Sequence, residues 1–270
     1  MKESGGISAK TTSYLAAHQF EASSLTLARE VRGLLKKELA EKVQITASAV
    51  TQLESGRLKP NPSTLAKLSL TLGFPVDFFT RPVPEDISSD RCHFRSLRSS
   101  SQQERLRMVS ASKLVGRLVR LLEDYVEFPS EHVTRLHSET LLAGKDLDNL
   151  AERVRSSWGL GLGPLPNVVR LLEGKGIIVS RLLSNCSRVD AFCVFHSDRP
   201  LVFLNAEKGN FYRSRFDAAH ELGHLVMHQD CMPGDPDQEH QANQFAAAFL
   251  FPRESFLSEF PRRLVWPHFE

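Results

Sequence analysis

The stretch His220-Glu221-Leu222-Gly223-His224 leaves this chain less freedom than any other part of its sequence. Histidines four residues apart lie one turn apart on one face of an α-helix, so both imidazoles can address a single point only if the segment is helical. The surroundings agree, because FDAAHELGHLVMH is apolar enough to be a helix set into a core, predicted over about 211–228. Two imidazoles with a glutamate between them suit Zn²⁺ with a general base, Glu221, at its side. A catalytic zinc site takes three protein ligands and keeps one position for water, so the fold must deliver one more donor.

Two residues compete for that place. His228 continues the ladder from His220 and His224, but at ~1.5 Å rise per residue it lies about 12 Å along the axis from His220. That separation is too long for three bonds of ~2.0–2.1 Å to one ion. Glu239 is better placed. In EHQANQFAAAFLFP, Ala242, Phe245, Ala246, Phe249 and Leu250 form an inward stripe, and Glu239 lies on it in a helix predicted over about 238–250. An inward carboxylate requires a cation or a partner. Asn243, four residues on, is positioned to hydrogen-bond that carboxylate, whereas His240 points off the stripe. Cys231, in the intervening loop, is within reach of the metal as an inhibitory thiolate, and Tyr212, Arg213 and Arg215 are candidates to assist.

Charge separates this region from the rest. Residues 1–120 hold 19 Lys and Arg against 11 Asp and Glu, whereas residues 121–270 hold 15 against 21. A basic half joined to an acidic one points to a polyanion-binding module attached to something else. The basic half supplies short apolar stripes punctuated by Gly56, Pro60, Pro62 and Gly73, which predict a run of short helices from Ser24 to about Phe79. Within KKELAEKVQITASAVTQLESGRLKP, Ala40 is small where two helices must approach, and Thr46 is an N-cap for the helix that follows. Val50 and Leu53 anchor that helix, which turns Ala47, Ser48, Thr51, Gln52 and Ser55 outward, toward base edges in a DNA major groove. Gln52 suits adenine and Ser48 is less selective, while Lys36, Lys37, Arg57 and Lys59 are placed for phosphate.

These residues resemble known families. ELAEK…I-T-x-S-x-V-x-Q-L-E-S-G is similar to the Cro/C1 or XRE-type helix-turn-helix domains, over about 55 residues. Two positions depart from that pattern. Leu35-Lys36 stands where the family commonly has Thr-Gln, and Gln44 stands where its inter-helix turn usually has Gly. A left-handed Gln44 costs about 1 kcal/mol relative to Gly. HELGH followed by Glu239-His-Gln-Ala-Asn243-Gln-Phe-Ala-Ala-Ala-Phe-Leu-Phe-Pro252 resembles the ImmA/IrrE metallopeptidase-like proteins, from about 148 to 256. XRE domains fused to such a domain are a familiar combination, and fused chains often continue into another helical segment beyond the point where this one ends, at WPHFE.

The resemblance implies hydrolysis of a peptide bond at Zn²⁺ held by His220, His224 and Glu239, with Glu221 as base. The substrate is then a partner repressor or the chain itself, held by backbone pairing to an edge strand such as PLVFLN. The other reading is a DNA-binding regulator whose zinc domain is a sensor or scaffold, including a toxin–antitoxin role. Both require a double-stranded DNA operator, bound by a homodimer on a palindrome.

The expected architecture is α+β, an N-terminal all-α helix-turn-helix domain plus a C-terminal zincin-like domain with a small sheet and the HExxH helix. The boundaries read as a flexible arm at 1–20, the helix-turn-helix domain at 21–82, a linker and long helix at 83–145, and the zinc domain at 146–270. Arg91, Arg95 and Arg98 make the linker basic, and the long helix is predicted over about 102–125. Near 148–158 and 167–173 two further helices are expected, and GIIVSRLL, AFCVF and PLVFLN read as three strands. No apolar run is long enough to cross a bilayer, and the N-terminus lacks the apolar region of a signal peptide. Cys92, Cys186, Cys193 and Cys231 form no CxxC and read as reduced thiols, consistent with a cytoplasmic protein.

Overall fold

A computed structural model describes residues 15–83, 92–93, 101–135, 144–182, 190–196, 199–206, 210–228 and 235–259. The linker arginines and Cys231 lie outside these. The chain divides into two compact units, Met1–Ser89 with Ser101–Tyr125 and Asp90–Ser100 with Val126–Glu270. The α+β class holds.

The first unit is all helical. It contains α1 (Ala22–Val31), α2 (Lys36–Val43), α3 (Ala47–Glu54), α4 (Pro62–Leu72), a 3₁₀ turn at Val76–Thr80, and α5 (Gln102–Glu123). Leu25, Leu39, Val43, Val50, Leu65, Leu68, Leu72 and Phe79 are fully buried and form its core. Each such side chain contributes roughly 1.5–3 kcal/mol relative to exposure. Ala16, Ala17 and Phe20, which the sequence places in the arm, join that core. Thr46 caps α3 as expected, its hydroxyl accepting from the Ala49 N–H at 3.1 Å.

Helix α2 starts without a side-chain cap at Leu35. Instead the Glu38 carboxylate accepts from the Leu35 N–H at 2.7 Å, which supplies half of a capping box. Gln44 ends α2 at φ 62°, ψ 46°, the left-handed conformation in which a side chain is strained. Lys67 Nζ bonds its Oε1 at 3.2 Å. A buried ion pair ties α1 to α3, with Arg29 Nε 2.5 Å from Glu54 Oε1 and Arg29 Nη1 donating to the Leu34 carbonyl at 2.9 Å. Helix α5 has its partner in α1. Ser110 Oγ donates to Glu30 Oε2 at 2.6 Å, and Arg107 Nε to the Val31 carbonyl at 3.2 Å. Farther along α5, Arg117 donates to Ser24 Oγ and the Phe78 carbonyl while lying over the Phe78 ring. Its pKa is lowered by burial and by the charge of Arg81.

The second unit sets helices on a small mixed sheet. Its elements are β1 (Cys92–His93), α6 (Lys145–Ser157), α7 (Val168–Gly174), β2 (Ile178–Leu182), β3 (Ala191–His196), β4 (Arg199–Asn205), α8 (Phe211–Met227), α9 (Pro236–Leu250) and α10 (Arg253–Glu259). The strand order is β1-β3-β4-β2. Strand β4 pairs in parallel with β2 and antiparallel with β3, so PLVFLN is an inner strand and has no edge to offer a substrate. Its residues 200–204 are buried throughout, which is what an all-apolar run signals and a free edge rarely shows. Among the described residues the outer side of β3 is paired with β1 at Cys193 and Val194.

Helix α8 lies on β3 and β4 and packs along α9, which packs in turn on α6. Leu147, Leu150, Val154, Leu172, Val202, Leu222, Leu225, Phe245 and Phe249 fill the space between. Arg155 is buried among them. Its guanidinium donates to the Gly161 and Phe249 carbonyls at 2.8 and 2.6 Å and also to that of Gly163, closing carbonyls that the GLGPLP turns leave open. At the α8–α9 crossing Gly223 meets α9 directly. A Cβ there would lie 3.1 Å from Phe245 Cδ1 and 3.3 Å from the Ala242 Cα. Among the described residues no helix is long and apolar enough to cross a membrane.

Candidate functional site

Helices α8 and α9 bring together the residues that the sequence singled out. His220 and His224 rise from one face of α8, Glu239 comes from the first turn of α9, and their donor atoms all lie within 4.8 Å of one another. The two Nε2 atoms are 3.0 Å apart. Glu239 Oε2 is 3.4 Å from His220 Nε2, and Oε1 is 3.5 Å from His224 Nε2. For bonds of ~2.0–2.1 Å at tetrahedral angles, donors should stand ~3.3–3.4 Å apart. The three contacts bracket that value, and two imidazoles with a carboxylate are a zinc donor set. The residues fit the ion.

His228 does not belong to this group. Its Nδ1 faces His224 Nδ1 at 2.9 Å, and its Nε2 faces Gln241 Oε1 at 2.9 Å. It is 3% exposed, and burial lowers its pKa. Asn243 supports the site through His220. Its Oδ1 lies 3.0 Å from His220 Nδ1 and accepts a hydrogen bond from the imidazole, where the sequence pointed to the Glu239 carboxylate. One turn separates residues 239 and 243, and the histidine on the facing helix fills the gap between them.

Glu221 lies on the opposite side of α8 from solvent, at 1% exposure. Burial raises its pKa to about 7, against the lowering effects of His220 and of a hydrogen bond from the Cys193 thiol on β3. Its Oε2 has no hydrogen-bond partner among the described residues. Glu239 moves the other way. Burial works to raise its pKa, but the hydrogen bonds and charges of His220 and His224 outweigh that and hold it at about 2. The two carboxyls are thus driven apart, one poised to exchange a proton near neutrality and the other fixed as an anion.

Of the residues named as possible helpers, Arg213 pairs with Asp190 at 2.7 Å and Arg215 donates to the Leu165 and Pro166 carbonyls, while Tyr212 is exposed. Gln241 and the Cys193 contact join the site without having stood out in the sequence. Neither carries a sequence signal, because each acts on an element distant in the chain.

In the first unit, α3 presents Ala47, Ser48, Thr51 and Gln52 to solvent, while Val50 and Leu53 are buried at 0% and 1%. Thr51 Oγ1 bonds back to the Ala47 carbonyl at 3.1 Å. Arg57 is exposed, and Lys37 is exposed beside Glu41. The other two lysines expected at phosphate have partners inside the unit. Lys36 Nζ lies 3.2 Å from Glu54 Oε2, and Lys59 Nζ donates to the His18 carbonyl at 2.5 Å. The exposed Lys59 contact is weak enough to be exchanged for a phosphate, whereas Lys36 faces a carboxylate only 4% exposed.

Matched against known protein families, residues 25–79 fit a helix-turn-helix domain and residues 172–266 an IrrE N-terminal-like domain. The first match spans α1 to the 3₁₀ turn, and the second takes in the sheet strands β2–β4 and both ligand-bearing helices. No curated protein and no solved structure matched the chain.

Proposed function

The chain joins an XRE-type helix-turn-helix to an ImmA/IrrE-like domain, and we propose that it is a cytoplasmic, sequence-specific transcriptional regulator whose second domain is a zinc-dependent peptidase. Its substrate is a partner repressor or the chain itself. The observation that carries the enzymatic part is Glu221, a buried carboxyl with a pKa of about 7 and an unpartnered oxygen, next in sequence to a ligand histidine. A structural metal site has no use for such a group.

His220, His224 and Glu239 would hold Zn²⁺, with Asn243 fixing the His220 ring. When bound, that ion supplies a Lewis acid able to acidify water and polarise a peptide carbonyl. Glu221, whose pKa burial raises to about 7, would take the proton of the attacking water and return it to the leaving amine nitrogen. The Cys193 thiol holds one of its oxygens and leaves the other to make that exchange. On the DNA side, a homodimer would set two copies of α3 into successive major grooves of a palindromic operator.

One observation supports the second reading, a sensor or scaffold with a toxin–antitoxin role among its variants. Glu221 is 1% exposed, which suits a structural carboxyl as well as a shielded base. Glu221→Gln separates the two. It should keep zinc content and fold but slow cleavage of the partner repressor by ~10²–10⁴-fold. Equal regulation of the same genes by wild type and variant would establish the sensor.

A further inference from the structure

Five side chains form a line through the metal centre. Asn243, His220, His224, His228 and Gln241 are joined in series by contacts of 3.0, 3.0, 2.9 and 2.9 Å. We propose that His228 and Gln241 are a tautomer lock on His224, keeping its proton on Nδ1 and so holding its Nε2 lone pair toward the metal. The inference rests on the metal-centre reading above and adds two positioning residues to it.

The proton positions are fixed inward from both ends of the line. A neutral imidazole carries one proton, and the neighbour of one nitrogen decides what the other can do. Both terminal atoms, Asn243 Oδ1 and Gln241 Oε1, are carbonyl oxygens that only accept. Asn243 therefore requires N–H at His220 Nδ1, which leaves a lone pair on His220 Nε2. Gln241 requires N–H at His228 Nε2, which leaves a lone pair on His228 Nδ1. That lone pair faces His224 Nδ1 at 2.9 Å, and two lone pairs at such a distance repel. His224 must then carry its proton on Nδ1 and donate it to His228, so its Nε2 is also a lone pair.

The result is that His220 Nε2 and His224 Nε2 both present lone pairs across 3.0 Å, beside the Glu239 carboxylate. Three acceptors so close together repel one another unless positive charge lies among them, a proton shared from an imidazole Nε2 to Glu239 in the empty site or the metal ion that replaces it in the filled one. The two ends of the line thus prepare the centre for a metal from outside it. His228 stands just past the C-terminal end of α8 and Gln241 on α9, so the lock also joins the two helices that bring the ligands. With His228 only 3% exposed, bulk water has little access to substitute for either partner.

The test is zinc affinity of the full chain, measured by competition with a chromophoric chelator and with no peptide present. His228→Phe should lose ~10–100-fold in affinity, the range typical for partners of metal-binding histidines, and Gln241→Leu a smaller factor. Gln241→Glu, whose carboxylate accepts as Oε1 does, should keep wild-type affinity. His228→Gln, whose oxygen can accept the His224 Nδ1–H, should recover most of the loss seen in His228→Phe. Nitrogen-15 spectra of the zinc-loaded chain should place the proton on Nδ1 of His224 and on Nε2 of His228. Unchanged affinity in His228→Phe and Gln241→Leu overturns the lock, and so does a proton on Nδ1 of His228. If His228→Phe does not fold, Gln241→Leu against Gln241→Glu decides the matter. A chain that binds zinc, shows these effects and cleaves nothing refutes the peptidase reading and leaves the lock standing.

Discussion

On α3, Ala47, Ser48, Thr51 and Gln52 stand in solvent above the buried Val50 and Leu53, whereas on α8 His220, Glu221 and His224 lie inside the unit at 1–2% exposure. The first arrangement costs the fold little, since an exposed polar side chain keeps its water and can be exchanged freely. The second places titratable groups where each must be answered by a partner or an ion. The helix-turn-helix can therefore change its reading face without changing its core. In the metal centre, site and core are the same set of residues.

The most severe way to break this contrast is to remove a ligand. His220→Ala should abolish stoichiometric zinc by elemental analysis, whereas Gln52→Ala should leave the thermal midpoint of the chain unmoved. Next in size is a place where the first unit behaves like the second. Arg29→Ala leaves the Glu54 carboxylate, 4% exposed, without its main counter-charge, and should destabilise the helix-turn-helix by ~3–5 kcal/mol in denaturant unfolding. Loss below 1 kcal/mol would show that Lys36, 3.2 Å from Glu54, suffices alone.

The Glu221 carboxyl offers a graded test. Its folded pKa of about 7 exceeds its ordinary 4.5, so folding favours the protonated form. In zinc-free protein the stability it contributes is complete below pH 4.5 and declines as pH rises toward 7. Glu221→Gln should remove that decline, visible as a difference in thermal midpoint between wild type and variant that grows across this window.

At the DNA surface, Gln52→Ala should cost ~1–3 kcal/mol at one base position, and Lys59→Ala should weaken all sequences alike, both read by gel shift. The smallest effect is a gain. Gln44 sits at φ 62°, so Gln44→Gly should stabilise the unit by about 1 kcal/mol, reduced by the loss of the Lys67 contact.

How much of this could be read beforehand follows from range. The HELGH helix, the capping by Thr46 and the outward face of α3 are local patterns, and periodicity states them directly. Glu239 was legible as well, because a carboxylate on an apolar stripe contradicts its surroundings. Strand order was not, since alternation says which residues face inward but not which strand lies beside which. The unbroken apolar run of PLVFLN did carry the warning that it is covered on both sides. The partners of Asn243, His228 and Cys193 were out of reach for a further reason. Each bonds across elements whose relative rotation is set by packing, and no spacing in the sequence encodes that.

That packing has a consequence at Gly223. The residue touches no ligand and bears no side chain, yet α9 presses against its Cα, with Phe245 and Ala242 where a methyl would go. Two donors stand on one side of this seam and the third on the other, so the seam acts as a gauge for the triangle they form. Zinc takes bonds of ~2.0–2.2 Å and calcium ~2.3–2.6 Å, a difference of a few tenths of an ångström. A methyl at 223 would open the seam by a similar amount. The spacing of the three donors is thus set in part by an atom that the chain leaves out.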